Sequence, residues 1–166
     1  MGEEAEFQPK SSSQITLQDC LKYFSVEELL KGNDKWYCSK CKNHQVASKK
    51  MEIYSVPEFL IVHLKRFSHS RGMFGGRKID KLVSFPVEGL DLTHQLLSNT
   101  DKKKHIYDLY AVSNHFGSLG GGHYTAFAKN CILEKWFDFN DSSVSKIKPS
   151  DVQTRAAYVL FYRRRK

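Results

Sequence analysis

The sequence predicts an α+β fold in which two short helices precede an antiparallel sheet. Apolar residues recur at helical spacing near the start of the chain, strand-like runs follow Gly32 almost to the end, and glycine-rich segments separate several of these runs. Of the 166 residues, 40% are hydrophobic and 27% are charged. The chain can therefore bury a core, and wholesale disorder is excluded.

Both predicted helices lie between residues 16 and 31. Thr16 precedes apolar residues spaced i, i+3, i+4 and i+7 from Leu17, a pattern typical of a short helix with one buried face. Cys20 falls on that face and is interpreted as a core residue. Residues 25–28 form a capping-box pattern that predicts a second helix, which Gly32 ends.

The rest of the chain is predicted to form strands, since its runs are rich in β-branched and aromatic residues. The predicted strands are 46–54, 59–67, 79–85, 107–112, 124–129, 135–139 and 158–162. The strand that begins at Phe59 opens with four apolar residues in succession, so we expect it to be covered on both faces. Glycine-rich loops are predicted at 71–76 and 117–122.

Two of these strands place a histidine beside an amide. If the chain turns immediately after Cys131, Phe127 faces Trp136 and His123 lies opposite Asn140. An amide oxygen that binds one ring nitrogen fixes the tautomer and leaves the other nitrogen as a base, which could activate a thiol or hydroxyl. The alternative is a histidine that ends a strand beside an asparagine that makes a turn.

Two of the four cysteines form a pair that suggests metal or redox chemistry more than a structural disulfide. Cys38 and Cys41 form a C-x-x-C pair with zinc-ribbon spacing, but a closed structural zinc site needs four ligands. His44 is a candidate third ligand, although we favour a surface histidine there. Cys131 is expected in the hairpin turn.

The basic charge does not identify a nucleic-acid-binding protein. Lys and Arg number 26 against 18 for Asp and Glu, giving +8, and residues 163–166 supply half of that excess. A basic zinc-ribbon nucleic-acid binder is therefore the disfavoured alternative. No apolar stretch approaches the length of a membrane span, and the acidic first residues do not form a secretory signal. We expect an intracellular protein, in the cytoplasm, the nucleus or both, without a nucleic-acid or membrane partner.

Several blocks of sequence together resemble the ubiquitin-specific protease family. Gly-Gly-His-Tyr-Thr-Ala, then Trp-Phe-Asp-Phe-Asn-Asp-Ser-Ser-Val, then Ala-Ala-Tyr-Val-Leu-Phe-Tyr resemble the C-terminal box of that family's catalytic domain. The further matching blocks are 57–67, 85–86 and 113–115. The resemblance implies a papain-like α+β cysteine protease fold that hydrolyses the isopeptide bond after the C-terminal glycine of ubiquitin. It covers residues 15–163, as the C-terminal half of such a domain, with 1–14 as a disordered tail or the end of an insertion and 164–166 as a basic tail.

The resemblance also assigns catalytic roles. His123 matches the general base, Asn140 matches the residue that orients it, and Asp141 matches a neighbouring carboxylate that assists in some members.

A second group of residues is implied to bind the ubiquitin tail. The segment from His115 to Gly122 matches a loop that closes over the tail, and residues 71–77 match another loop beside the cleft. The residues implied to contact the tail are His115, Gly121, Gly122 and Tyr124.

The nucleophile is missing from this pattern. The family's catalytic cysteine lies in an Asn/Gly-rich segment that opens a helix, and none of the four cysteines matches it. We therefore expect the chain to be inactive alone and to need the N-terminal half of the domain, with ubiquitin and its conjugates as partners. Zinc, held by Cys38 and Cys41 with an absent pair, would be structural, and no catalytic cofactor is expected. The alternative is a fragment that binds ubiquitin without cutting it.

Overall fold

The computed structural model describes residues 14–68, 77–97 and 103–166. Within them it contains one α-helix, α1 (Leu17–Phe24), fifteen strands and three short 3-10 helices. The 3-10 helices are Gly32–Asp34, Thr93–Gln95 and Pro149–Asp151. The strands are β1 (Ile15–Thr16), β2 (Glu28–Leu30), β3 (Trp36–Cys38), β4 (Asn43–Gln45), β5 (Ala47–Lys49), β6 (Phe59–His63), β7 (Phe67–Ser68), β8 (Arg77–Lys78), β9 (Val83–Ser84), β10 (Leu90–Asp91), β11 (Ile106–Ser118), β12 (Gly121–Lys129), β13 (Trp136–Asn140), β14 (Ser143–Ile147) and β15 (Ala157–Arg164).

The first predicted helix is confirmed. Thr16 caps α1 through a complete capping box, in which its hydroxyl accepts from the backbone N–H of Asp19 and the Asp19 carboxylate accepts from the backbone N–H of Thr16. Cys20 is half-buried against the core, as predicted, and burial raises the pKa of its thiol. No helix in the described ranges is long and apolar enough to cross a membrane.

The second predicted helix is wrong. Ser25 does not open a helix but ends α1, since its backbone N–H donates to the carbonyl of Lys22. The segment that follows forms β2, which pairs with β5. The residues of the capping-box pattern at 25–28 therefore do not begin a helix.

A seven-stranded antiparallel sheet dominates the described structure. Its order is β14-β13-β12-β11-β15-β6, and β10 pairs with the first residues of β11. Four two-stranded ribbons lie outside it: β1–β9, β2–β5, β3–β4 and β7–β8. The predominantly antiparallel sheet with its short helix confirms the α+β class.

The buried core connects α1 to this sheet. Leu17 of α1 packs in the same cluster as Phe85, Val112 and Leu160, all at most 1% exposed. Tyr162 is also fully buried, and its hydroxyl donates to the carbonyl of Pro86 at 2.7 Å, as buried hydroxyl groups require.

Strand β6 departs from the prediction of burial on both faces. Its residues alternate between exposed and half-buried, and Phe59 and Ile61 remain 53% and 62% exposed. The reason is position, because β6 is an edge strand of the central sheet and only the face of Leu60 and Val62 packs against the core.

Strands β12 and β13 pair in a different register from the predicted one. Lys129 lies opposite Trp136, whereas the prediction placed Phe127 there. The connecting loop is longer than a tight turn after Cys131, because Asn130 Oδ1 accepts hydrogen bonds from two backbone N–H groups inside it. The predicted register is wrong by two residues, a shift that keeps every side chain on its face of the sheet.

The sequence analysis misses β14. It follows β13 after two residues, one of which, Asp141, has a left-handed φ of 49°. The residues of β14 are mostly polar and exposed, so they lack the apolar pattern by which strands are predicted.

Candidate active site

The ends of β12 and β13 bring the predicted histidine and asparagine into contact. His123 Nε2 lies 2.7 Å from Asn140 Oδ1. If the β12–β13 register continues past its last pair, Asn140 comes opposite Thr125. His123 then meets Asn140 diagonally across the ladder, on the same face, and not directly opposite as predicted.

This contact defines the chemistry of the imidazole. The amide oxygen of Asn140 only accepts hydrogen bonds, so Nε2 of the neutral ring carries the proton. Nδ1 is then the nitrogen that can take a proton from another group. The side chain of His123 is 47% exposed, which leaves the ring accessible to a reacting partner.

Asp141 lies beside this pair at a longer distance. One carboxylate oxygen is 4.0 Å from His123 Nε2, and the Asp141 side chain is 82% exposed. Its attraction to a protonated ring is therefore screened by water.

The four residues predicted to bind a tail line a single cavity of about 310 Å³. They are His115, Gly121, Gly122 and Tyr124. Phe67, Ser118 and Leu119 complete the described lining. The predicted loop at 117–122 is in fact the tip of a β-hairpin, because β11 runs on to Ser118 and β12 begins at Gly121. Residues 69–76, which hold nearly all of the other predicted loop, lie outside the described ranges.

His115 lines the cavity and is only 4% exposed. Its ring centroid lies 4.7 Å from that of Tyr124, 5.4 Å from Phe67 and 5.8 Å from Tyr158. Burial, followed by the nearby ammonium of Lys78, lowers the pKa of His115. The ring is thus an uncharged part of an aromatic wall.

Two glycines make this close packing sterically feasible. A Cβ on Gly122 would lie 2.4 Å from His115 Nε2 and 2.3 Å from the carbonyl oxygen of Phe116. Gly117 has a φ of 111°, and its Cβ would meet the carbonyl oxygen of Gly121 at 2.6 Å. Side chains at either position would force the hairpin apart.

Comparison with known proteins identifies the family. The family model described as ubiquitin carboxyl-terminal hydrolase matches residues 7–162. The chain belongs to the ubiquitin carboxyl-terminal hydrolase family. It is 48% identical over 162 residues to ubiquitin carboxyl-terminal hydrolase 15 of Homo sapiens and 46% identical over 158 residues to ubiquitin carboxyl-terminal hydrolase 4 of Bos taurus. These alignments cover 98% and 95% of the chain but only 16% of each relative, so the chain spans about a sixth of their length.

Solved structures of this family share the fold. The SAGA DUB module Ubp8/Sgf11/Sus1/Sgf73 bound to ubiquitin aldehyde matches with a TM-score of 0.74 and 34% identity, over 95% of this chain and 35% of that one. The Ubp8-Sgf11-Sgf73-Sus1 SAGA DUB module matches with a TM-score of 0.73 and 33% identity, over 92% and 32%. The predicted papain-like α+β fold of a ubiquitin-specific protease catalytic domain is thereby confirmed.

The four cysteines of this family member lie outside the strand ends that hold His123 and Asn140. Cys131 is in the loop at the far end of the β12–β13 hairpin, eight positions beyond His123 and thus on the order of 20 Å away. Cys20 packs against the core from α1, and Cys38 and Cys41 belong to the β3–β4 ribbon.

The C-x-x-C pair has the local geometry of a metal ligand pair. The backbone N–H of Cys41 donates to Cys38 Sγ at 3.4 Å, and this bond lowers the pKa of the Cys38 thiol, favouring the thiolate that binds metals. His44 instead has Nδ1 3.2 Å from the carbonyl oxygen of Lys35. Among the described residues, no group of three or more His, Cys, Asp or Glu side chains could hold a metal ion.

Two further histidines differ in their exposure. His63 is exposed on β6, where its ring packs edge-on against Tyr158. His105 is buried, at 7% exposed. Sequence reasoning also assigns no role to Phe67, Lys78 or Tyr158, because each contacts His115 from an element distant in sequence.

Proposed function

We propose that this chain is the part of a thiol-dependent deubiquitinase that supplies the general base, His123, and its orienting residue, Asn140. The proposal is carried by one observation, the 2.7 Å contact between His123 Nε2 and Asn140 Oδ1 in a member of the ubiquitin carboxyl-terminal hydrolase family. Asn140 holds the ring so that Nδ1 faces the nucleophile. The nucleophilic cysteine comes from a part of the enzyme outside this chain.

The reaction proceeds through an acyl-enzyme. Nδ1 of His123 takes the proton of the cysteine thiol, and the thiolate sulfur attacks the carbonyl carbon of ubiquitin's last glycine. The tetrahedral intermediate collapses as the bond to the lysine nitrogen breaks, and His123 returns the proton to the departing amine. Water then hydrolyses the thioester, with His123 again accepting a proton, so that ubiquitin leaves with a free carboxylate and the thiol is regenerated.

Asp141 has a smaller role in this scheme. Its carboxylate, 4.0 Å from Nε2, favours the protonated imidazole that exists between the two proton transfers. Because the group is exposed, we assign it an effect well below that of Asn140.

The cavity of His115, Gly121, Gly122 and Tyr124 is proposed to hold the ubiquitin tail. Its walls are aromatic and its rim is formed by glycine backbone, which suits an extended chain that ends in two glycines. His123 directly precedes Tyr124 on β12, so tail and base are held by the same few residues. The similar DUB module bound to ubiquitin aldehyde supports a ubiquitin ligand.

Zinc is proposed as a structural ion only. Cys38 and Cys41 would supply two thiolates, and the other two ligands would come from a part of the enzyme outside this chain. We further propose an intracellular location, consistent with four free cysteines.

Hydrolysis of a fluorogenic C-terminal amide of ubiquitin tests this proposal. The chain is assayed alone and mixed with the cysteine-bearing part of the catalytic domain of a homologous ubiquitin carboxyl-terminal hydrolase. We expect no turnover by the chain alone and turnover by the mixture. His123→Gln should abolish that turnover. The control His94→Gln, which replaces an exposed histidine distant in sequence from His123, should retain it.

Other outcomes contradict the proposal in distinct ways. Turnover by the lone chain would mean that one of its own cysteines is the nucleophile, with Cys20 the first to replace. Binding of ubiquitin without turnover in a folded mixture would favour the non-catalytic fragment. Equal activity of His123→Gln and wild type would remove the base from the scheme.

A further inference from the structure

The β7–β8 ribbon contacts His115 through two side chains. Phe67 of β7 packs its ring against the imidazole, with centroids 5.4 Å apart. Lys78 of β8 lies directly opposite Phe67 in the ribbon, and its Nζ donates to the carbonyl oxygen of His115 at 2.7 Å. One ribbon pair thus holds both the ring and the backbone of the same residue.

Lys78 is an unusual residue to find in this position. Its side chain is only 8% exposed, although lysine is almost never buried without a partner. The carboxylate that it meets, on Asp80, is 3.4 Å away and itself 67% exposed, so it is a weak counter-charge. The short bond to the His115 carbonyl is therefore the main compensation for removing the ammonium from water.

Contacts with other elements also hold His115 in place. Its backbone N–H donates to the carbonyl of Ala156 at 2.8 Å, while its carbonyl accepts from Lys78. Its ring packs against the rings of Phe67 and Tyr124, and both of these residues line the cavity. Movement of the ribbon relative to the hairpin would change the width of that cavity.

We propose that Lys78 is a positioning residue that sets the width of the tail-binding cavity by binding the carbonyl of His115. This inference rests on the proposed function of the cavity. Lys78 need not touch the tail, since it acts through His115 and holds the wall formed by Phe67 at a fixed distance from the wall formed by Gly122 and Tyr124.

The ammonium has a second effect on the same wall. After burial, Lys78 is the main cause that lowers the pKa of His115, and Asp80 opposes it. The other titratable groups against the ring are the phenols of Tyr124 and Tyr158. Lys78 thereby favours the neutral imidazole, which suits an apolar segment of peptide.

The test compares Lys78→Met with the control Lys81→Met, which replaces an exposed lysine three residues away. Methionine keeps much of the aliphatic stem and removes the charge and the donors. Binding of each variant is measured by calorimetry with intact ubiquitin and with ubiquitin that lacks its last two glycines. We expect Lys78→Met to weaken binding of intact ubiquitin about 10-fold or more, Lys81→Met to bind like wild type, and truncated ubiquitin to bind all three chains equally.

A spectroscopic measurement separates positioning from general destabilisation. The pKa of His115, followed by heteronuclear NMR of its ring, should rise in Lys78→Met and stay unchanged in Lys81→Met. Lys78→Arg, which retains charge and donors, should keep both the affinity and the His115 pKa near their wild-type values.

The remaining outcomes overturn the inference. If wild type binds intact ubiquitin better than the truncated form and Lys78→Met does the same, Lys78 does not set the cavity while the proposed function survives. If wild type does not distinguish the two ubiquitins, the tail site itself fails and the inference fails with it. If Lys78→Met is unfolded, the measurements are made on Lys78→Gln, which retains an N–H donor. If the glutamine variant is unfolded as well, Lys78 is needed for the whole fold and not specifically for the cavity.

Discussion

The contact with Asn140 favours one neutral tautomer of His123 over the other. The two side chains are 2.7 Å apart through Nε2 and Oδ1, so the neutral tautomer that presents an unprotonated Nδ1 is the favoured one. In the proposed mechanism, an orienting residue such as Asn140 acts on the reacting geometry and contributes little to the binding of ubiquitin. Its loss should therefore lower kcat and leave KM nearly unchanged.

Asn140→Ala should lower kcat of the reconstituted enzyme about 10²- to 10⁴-fold, the range attributed to an oriented general base. Asn140→Asp keeps the acceptor and adds a negative charge beside the ring, which favours the protonated imidazole. Its activity should survive, with the acidic limb of the pH profile of kcat/KM moved to higher pH. A fall of less than 3-fold in Asn140→Ala would show that the ring is oriented by other contacts.

His115 should make the stability of the chain depend on pH. Because burial lowers its pKa below the ordinary value of about 6.5, the unfolded chain binds more protons just below that pH. The contribution of His115 to the free energy of unfolding is fully present above pH 6.5 and is lost as the pH falls through the folded-state pKa. The free energy of unfolding then changes by at most about 1.4 kcal/mol per pH unit.

Chemical denaturation between pH 7 and pH 5 measures this slope. The lowered pKa values of carboxylates such as Asp19 and Asp108 act mainly at lower pH, below this window. We expect His115→Gln to flatten the dependence and the exposed control His94→Gln to retain it. An unchanged slope in His115→Gln would mean that another group titrates with folding.

At the scale of elements, the β11–β12 hairpin contains glycines that are sterically required and one that is not. A Cβ at Gly122 would lie 2.3 Å from backbone and 2.4 Å from His115, whereas a Cβ at Gly120 meets nothing within 4 Å. Gly122→Ala should therefore cost about 1–3 kcal/mol in free energy of unfolding, and Gly120→Ala should change it by less than about 0.5 kcal/mol.

Urea denaturation of the two alanine variants provides the comparison. Gly122→Ala should also move the His115 ring resonances, because the imidazole is displaced from its neighbours. Equal stability of the two variants would show that the hairpin opens without cost, contrary to the close packing of its tip.

The elements that the sequence predicts correctly are those determined locally. The capping box of Thr16 and the apolar spacing of α1 lie within nine residues, so no distant partner is needed to recognise the helix. The second helix fails because Ser25 is already engaged as the end of the first. β14 fails because its stability comes from pairing with β13, which its own exposed residues do not reveal.

The contact between His123 and Asn140 is present although the register predicted for their strands is wrong. The β12–β13 loop is lengthened by the Asn130 side chain, which no pairing rule anticipates. A shift of two residues nevertheless keeps His123 and Asn140 on one face, where a diagonal contact replaces the direct one. Lys78 could not be predicted in the same way, because its partner His115 lies 37 residues away and bonds through its backbone.

At the scale of the whole molecule, one face of the central sheet exposes apolar side chains at its β6 edge. Phe59 and Ile61 are more than half exposed, and the ring of Phe59 continues through Tyr110 to Phe161, with centroid separations of 6.3 Å and 6.1 Å. An edge strand also presents unpaired backbone groups. Together these features favour association of the chain with itself when nothing else covers the face.

Sedimentation velocity over a concentration series should show reversible self-association of the chain. Ile61→Lys should abolish it, because the charge is buried in any contact across this face. Val144→Lys is the matched control, since Val144 is 57% exposed on β14 at the opposite edge of the sheet. Both side chains are exposed, so both substitutions should change the free energy of unfolding by less than about 0.5 kcal/mol. If Val144→Lys makes the chain monomeric and Ile61→Lys does not, the contact between copies lies at the β14 edge. If wild type is monomeric at every concentration, the side chain of Arg163, which lies over the ring of Phe59, covers the face well enough to prevent self-association.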